Sequence, residues 1–191
     1  ATQYVPGEQG QVQPVLKVPY YVSRNRESAP PACFVDKNGA RHHALVSPDR
    51  TMLRVLDEHG KLEFTFRAPD YVQQVEYQAG THTYYVRSSQ AIFALSGKDG
   101  SELATISPEK LSCLGEMAVL DTGDLCLVTP LETFKNGHIL LLKPDLSPGW
   151  SVPSEIATKR VLDVGQGQVA VFNDGEELAV LNAQGEEVLR S

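Results

Sequence analysis

Tight-turn signals recur along this chain at a nearly constant spacing, and that period constrains the fold more than any other feature. One set falls at Asp57-Glu58-His59-Gly60, Ser96-Gly97-Lys98-Asp99-Gly100 and Asn182-Ala183-Gln184-Gly185. Each follows an apolar run, such as Leu53-Arg54-Val55-Leu56 or Ile92-Phe93-Ala94-Leu95, and precedes a second, such as Leu62-Glu63-Phe64-Thr65-Phe66. Short alternating runs joined by Gly and Asp are hairpins, with glycine taking the positive-φ position of the turn. Gly60 and Gly100 are 40 positions apart and Gly100 and Gly185 are 85 apart, so a further copy is expected near residue 145, where Pro144 and Asp145 supply turn residues.

Two more sets keep the same step. Upstream turns stand at Asp36-Lys37-Asn38-Gly39, Gln78-Ala79-Gly80, Asp121-Thr122-Gly123 and Gly165-Gln166-Gly167. Middle turns stand at Ser47-Pro48-Asp49-Arg50, Arg87-Ser88-Ser89, a longer segment over 130–137, and Asn173-Asp174-Gly175. Every unit of 40 to 46 residues therefore holds four strands and three turns, which is the pattern of one β-propeller blade. The expected fold is all-β: a small or partial propeller of about four four-stranded blades at 32–68, 72–108, 113–152 and 160–191. A single four-stranded sheet cannot bury both faces, so copies must stack. Residues 1–30 form an N-terminal extension or a fifth, incomplete blade, and Tyr20-Tyr21-Val22-Ser23-Arg24 echoes Tyr84-Tyr85-Val86-Arg87-Ser88. An unclosed ring would favour self-association through an open sheet edge. A β-sandwich is the rival arrangement.

The segment Ala91-Ile92-Phe93-Ala94-Leu95-Ser96-Gly97-Lys98-Asp99-Gly100-Ser101-Glu102-Leu103 resembles the pyrroloquinoline-quinone-like propeller repeat, and 52–66 and 178–189 are similar to the NHL type. The resemblance implies strand, Asp/Gly turn, strand. Ala104 stands where a quinone-type docking repeat carries tryptophan, and the single tryptophan, Trp150, lies in another unit, so no cofactor is expected.

Seventeen Lys and Arg against 24 Asp and Glu give a net charge of −7, which disfavours nucleic acid and anionic membrane as partners. No run approaches the length of a spanning helix. Cys33, Cys113 and Cys126 are odd in number and lack a CxxC spacing, so all three are expected as buried apolar residues. A two-residue Thr122-Gly123 loop would set Val119 opposite Cys126 and keep Cys113 away from it.

Chemistry-bearing motifs are few. Gly165-Gln166-Gly167-Gln168-Val169-Ala170 matches GxGxxA after a strand-like run, but the strand and turn that follow deny it the helix N-terminus a phosphate needs. Adjacent His42 and His43 point to opposite faces of a strand and cannot ligate one ion together. First strands of the units line a propeller's channel, which makes Glu76, Glu116 and Asp163, with Gln74 nearby, the candidates for a metal or general-base site.

Loops held by rigid blades are the more usual functional surface. Middle turns and connections between units emerge on one rim, bringing Arg50, Arg67, Arg87, Lys135 and His138 together with Asp49, Asp70, Asn136, Lys159 and Arg160; Phe134 marks the tip of the longest loop. Mixed charge suits a polar protein contact. The expected function is a non-catalytic protein-binding scaffold, an inhibitor, immunity-type or assembly factor of a bacterium. The alternatives are a metal-dependent hydrolase or lyase with a carboxylate site at the channel mouth, and a small-ligand sensor domain. A chain opening on small Ala1 with unpaired cysteines suits the cytoplasm, with a processed periplasmic chain as the alternative.

Overall fold

The computed structural model describes residues 2–6, 12–17, 32–107, 116–128, 137–154, 160–173 and 177–191. All of its ladders are antiparallel meanders. β1 (Thr2–Pro6) and β2 (Val12–Lys17) form a two-stranded sheet. Four four-stranded sheets follow in chain order. The first holds β3 (Ala32–Val35), β4 (Arg41–Val46), β5 (Met52–Leu56) and β6 (Leu62–Arg67); the second holds β7 (Val72–Gln78), β8 (Thr83–Ser88), β9 (Ile92–Ser96) and β10 (Glu102–Ile106). The third holds β11 (Met117–Val119), β12 (Leu125–Val128), β13 (His138–Leu142) and β14 (Pro148–Pro153); the fourth holds β15 (Arg160–Gly165), β16 (Gln168–Phe172), β17 (Leu178–Leu181) and β18 (Glu187–Arg190). No helix of the described residues is long and apolar enough to cross a membrane.

Three buried cores lie between these four sheets. Val55 and Phe64 of the first sheet meet Tyr84, Val86 and Phe93 of the second. Tyr85, Ile92 and Ala94 on the second sheet's other face meet Met117, Leu125 and Leu142 of the third. Cys126, Ile139 and Leu141 of the third then meet Val161, Val171 and Leu181 of the fourth. Period-two alternation assigns the faces: Tyr84 and Tyr85 are neighbours on β8 and enter different cores. Middle strands therefore read as unbroken apolar runs, and β12 is buried at all four positions. The first strands approach one another, β7 against β11 and β11 against β15, so they are the inner ones.

Outer hairpins interlock with the preceding sheet. Phe64 lies over Gly100 and Trp150 lies over Gly185, each so close that a Cβ on the glycine would collide with the ring. Trp150 also donates its indole N–H to the Ala183 carbonyl at 3.0 Å. The third sheet's outer turn has no glycine at the corresponding place: Leu146 takes φ +63° there and buries its side chain.

Two expectations need correction. Ala118, not Val119, stands opposite Cys126, because the loop is Asp121-Thr122-Gly123 with Gly123 at φ +89°, closed by Leu120 N–H to the Asp124 carbonyl. Three-residue loops of this kind shift the register by one relative to a two-residue turn. Cys33 is exposed rather than buried, since among the described residues nothing packs on the face of the first sheet that carries it, whereas Cys126 is buried with its thiol pushed up to about 12 by desolvation. Cys113 and Tyr20 to Arg24 lie outside the described residues.

Candidate interaction surface

One rim of the array gathers the middle turns and the connections between sheets, and backbone hydrogen bonds join the two kinds of loop. In the Ser47–Thr51 turn, the Asp49 carboxylate accepts from the Ser47 hydroxyl and from the Thr51 amide, which holds it below the ordinary carboxylate range. Arg50 sits there at φ +61°, its carbonyl accepting from Val72 N–H at 2.7 Å. Ser89 donates its amide and its hydroxyl to the Asp70 carboxylate at 3.2 and 2.8 Å, tying the next middle turn to the connection that precedes it. Ser154 N–H reaches the Gly137 carbonyl in the same manner in the third sheet. Such loops are held in place by their own backbone, which favours binding without a large ordering cost.

The expected rim residues differ in availability. Arg67 and Arg160 are exposed. Arg50 is partly buried, its Nε without a hydrogen-bond partner among the described residues. Arg87 is also partly buried: it donates to the Gln73 side-chain carbonyl at 2.5 Å, and burial draws its pKa down to about 10, Glu116 opposing and Arg50 adding to the effect. His138 is exposed, with Nδ1 3.5 Å from the Ser151 hydroxyl. Phe134, Lys135, Asn136 and Lys159 lie outside the described residues.

The inner carboxylates connect one sheet to the next. Gln74 donates to the Met117 carbonyl at 2.6 Å and accepts from the Met117 amide at 3.0 Å, so its side-chain amide bridges the second and third sheets as a peptide group would. Gln74 also donates to Glu76 at 2.8 Å. Burial, and behind it repulsion from Glu116, raises Glu76 against that hydrogen bond. Glu116 accepts from Val161 N–H at 3.3 Å across the following junction, and Asp163 accepts from Asp121 N–H at 2.9 Å. Among the described residues no three His, Cys, Asp or Glu side chains gather as a metal ion would require.

The glycine-rich segment carries an anion cradle that is already filled. Gln166 and Gly167, both at positive φ, direct their amides at the Asp121 carboxylate, at 2.6 and 2.9 Å. Successive amides in this conformation form a concavity for an anion. Here the anion is the protein's own, and β16 follows where a nucleotide site would need a helix. A crevice of about 190 Å³ opens between the third and fourth sheets, lined by Ile139, Val152, Val171 and Leu181 and bordered by the Glu187–Arg190 ion pair. Ligand pockets generally run from about 300 Å³ upward.

Sequence reasoning passed over the bridging role of Gln74, Glu116 and Asp121. Their signal was spacing: each binds backbone 43 to 46 residues further on, which is one repeat.

No family model matches the chain, and no curated protein matches it. Solved structures do. BamB from Moraxella catarrhalis superposes with a TM-score of 0.59 at 14% identity, over 83% of this chain and 48% of that one. A protein of unknown function from Bacteroides caccae superposes with a TM-score of 0.58 at 14% identity, over 96% of this chain and 65% of that one. The fold is a β-propeller of about four blades. The chain thus spans about half of the first structure's length and under two thirds of the second's. At this identity the likeness concerns the fold alone.

Proposed function

We propose that this chain is a non-catalytic protein-binding scaffold, an inhibitor, immunity-type or assembly factor of a bacterial cell, whose middle-turn rim docks an acidic segment of another protein. The distribution of charge carries this reading. In a chain of net charge −7, the exposed Arg67 and Arg160 stand with Arg50 on one rim. On the same rim the Asp49 and Asp70 carboxylates are engaged by Ser47, Thr51 and Ser89 of the turns themselves, so the exposed arginines are charges left facing outward. Exposed charge of one sign steers an oppositely charged partner and sets its orientation. The bridging of Glu116 and Asp163 to backbone supports a structural use of those carboxylates over a hydrolytic one. The exposed, unpaired thiol of Cys33 supports a reducing compartment, in keeping with a cytoplasmic location.

The test is capture of a partner from bacterial extract on the native chain, followed by association rates for that partner with the native chain and with Arg67→Glu/Arg160→Glu. The expected result is a several-fold slower association in the variant and a weakened salt dependence. Equal rates, or no partner above background, would overturn the proposal.

A further inference from the structure

Two middle turns and one connection meet on the rim where blade 1 (β3–β6) joins blade 2 (β7–β10). The connection bonds to both turns. Ala68 N–H donates to the Thr51 carbonyl at 2.9 Å and Val72 N–H to the Arg50 carbonyl at 2.7 Å, while Ser89 N–H donates to the Tyr71 carbonyl at 3.2 Å. Tyr71 is therefore carried on backbone that is fixed on either side. Among the described side chains it is the one Phe, Tyr or Trp that is exposed, at 51%. A lone exposed ring is ordinary; what stands beside this one is not.

Its neighbour Arg50 is partly buried, with Nε enclosed and without a hydrogen-bond partner, and none of the ion pairs among the described residues includes it. Asp49 precedes it, but that carboxylate is engaged by the Ser47 hydroxyl and the Thr51 amide and feels the charge of Arg67. Asp70, which precedes Tyr71, is engaged by Ser89. Arg87 donates to Gln73, next to the Val72 that Arg50 holds, so a second cation stands close behind. The Arg50 charge is thus drawn partly out of water with nothing paired to it. Its φ of +61° is also a conformation that a non-glycine residue adopts at a cost, and such residues gather at binding sites.

We propose that Arg50 and Tyr71 anchor the rim's partner: Arg50 takes the carboxylate of an Asp or Glu in the docked segment, and the Tyr71 ring covers an apolar side chain next to it. This anchor rests on the rim-docking reading and narrows it to one pair of residues and one partner chemistry. Charge complementarity selects the carboxylate. A charge-assisted hydrogen bond to a partly buried guanidinium is stronger than one to the exposed Arg67 or Arg160, where solvent screens the pair. Tyr and Arg are the residue types that dominate contact energies. A tyrosine ring has only two torsions to freeze, and the backbone bonds on both sides of it leave little loop ordering to be done on binding. Arg67 and Arg160 then steer the segment, and Arg50 with Tyr71 holds it.

The test is titration of the full chain with the blocked peptide acetyl-Gly-Glu-Leu-Gly-amide, followed by NMR at the Arg50 Nε–Hε and Tyr71 ring resonances. Saturable shifts at both are expected. Replacing the peptide's Glu by Gln should weaken binding about fivefold or more, and replacing its Leu by Gly about threefold or more. Arg50→Gln should abolish the preference for Glu over Gln while keeping that for Leu over Gly; Tyr71→Ser should do the reverse. Arg50→Lys and Tyr71→Phe should each retain part of the lost preference, which separates direct contact from a disturbed turn. Unchanged melting of the variants shows that the blades remain folded. Saturable shifts at Arg67 or Arg160 with none at Arg50 and Tyr71, or preferences that survive both substitutions, would overturn the anchor and leave rim docking standing. Absence of saturable shifts anywhere on the rim would overturn both.

Discussion

Asp121 and Glu76 respond to acid in opposite directions. The amides of Gly167 and Gln166 hold the Asp121 carboxylate below its ordinary value of 3.8 in the folded chain. A depressed carboxylate contributes stability above its unfolded pKa and loses that contribution as pH falls through the folded one. Asp99 and Asp145, held low by Ser101 and Ser147, add to the same trend. Glu76 is raised above its ordinary 4.5 by burial, so its neutral form suits the fold and its contribution is lost as pH rises through the folded value. Thermal melting followed from pH 7 downward should therefore stay level until about 4 and then fall, the Asp groups outnumbering Glu76. Asp121→Asn should flatten the fall and melt lower at neutral pH, since the cradle of Gln166 and Gly167 loses its anion. Glu76→Gln should melt higher at neutral pH and match the native chain below the Glu76 titration. A Glu76→Gln variant less stable at pH 7 would show that its charge is held by something beyond Gln74.

Hairpins are the elements in which backbone conformation and blade stacking can be separated by experiment. Gly39 and Gly100 both take positive φ, +86° and +72°, but an added Cβ at Gly39 meets nothing within 4 Å, whereas at Gly100 it would stand 2.3 Å from Phe64. Gly39→Ala should cost only the left-handed strain of roughly 1–2 kcal/mol, and Gly100→Ala should cost at least about 1–3 kcal/mol more, because Phe64 must leave its core position. Urea unfolding measures both, and equal costs would mean that Phe64 moves aside without penalty. The same contrast explains what the sequence could reveal. Turns at Gly60, Gly100 and Gly185 were legible because a tight turn demands particular residues locally. Leu146 kept the period without the glycine, so that copy could be found only by counting. The one-residue register error at Ala118 and Cys126 arose where loop length, not strand pattern, sets the pairing. Gln74 bridging to Met117 and the exposure of Cys33 depend on what stands beside a sheet, which no local pattern encodes.

Across the whole molecule, coverage falls from the centre of the array to its ends, and local stability should follow. Stability in stacked repeats comes approximately from each unit and its nearest-neighbour contacts. Blades 2 and 3 have a core on each face, and β12 and the Thr83–Val86 stretch of β8 are fully buried. Among the described residues blades 1 and 4 have one core each, and every residue of β18 is exposed. Native-state hydrogen exchange should show the slowest amides in β8, β9 and β12 and the fastest in β18 and β3, with terminal blades opening below the global unfolding free energy. Uniform exchange across all four blades would instead mean that the array opens as one cooperative unit, its ends no weaker than its middle.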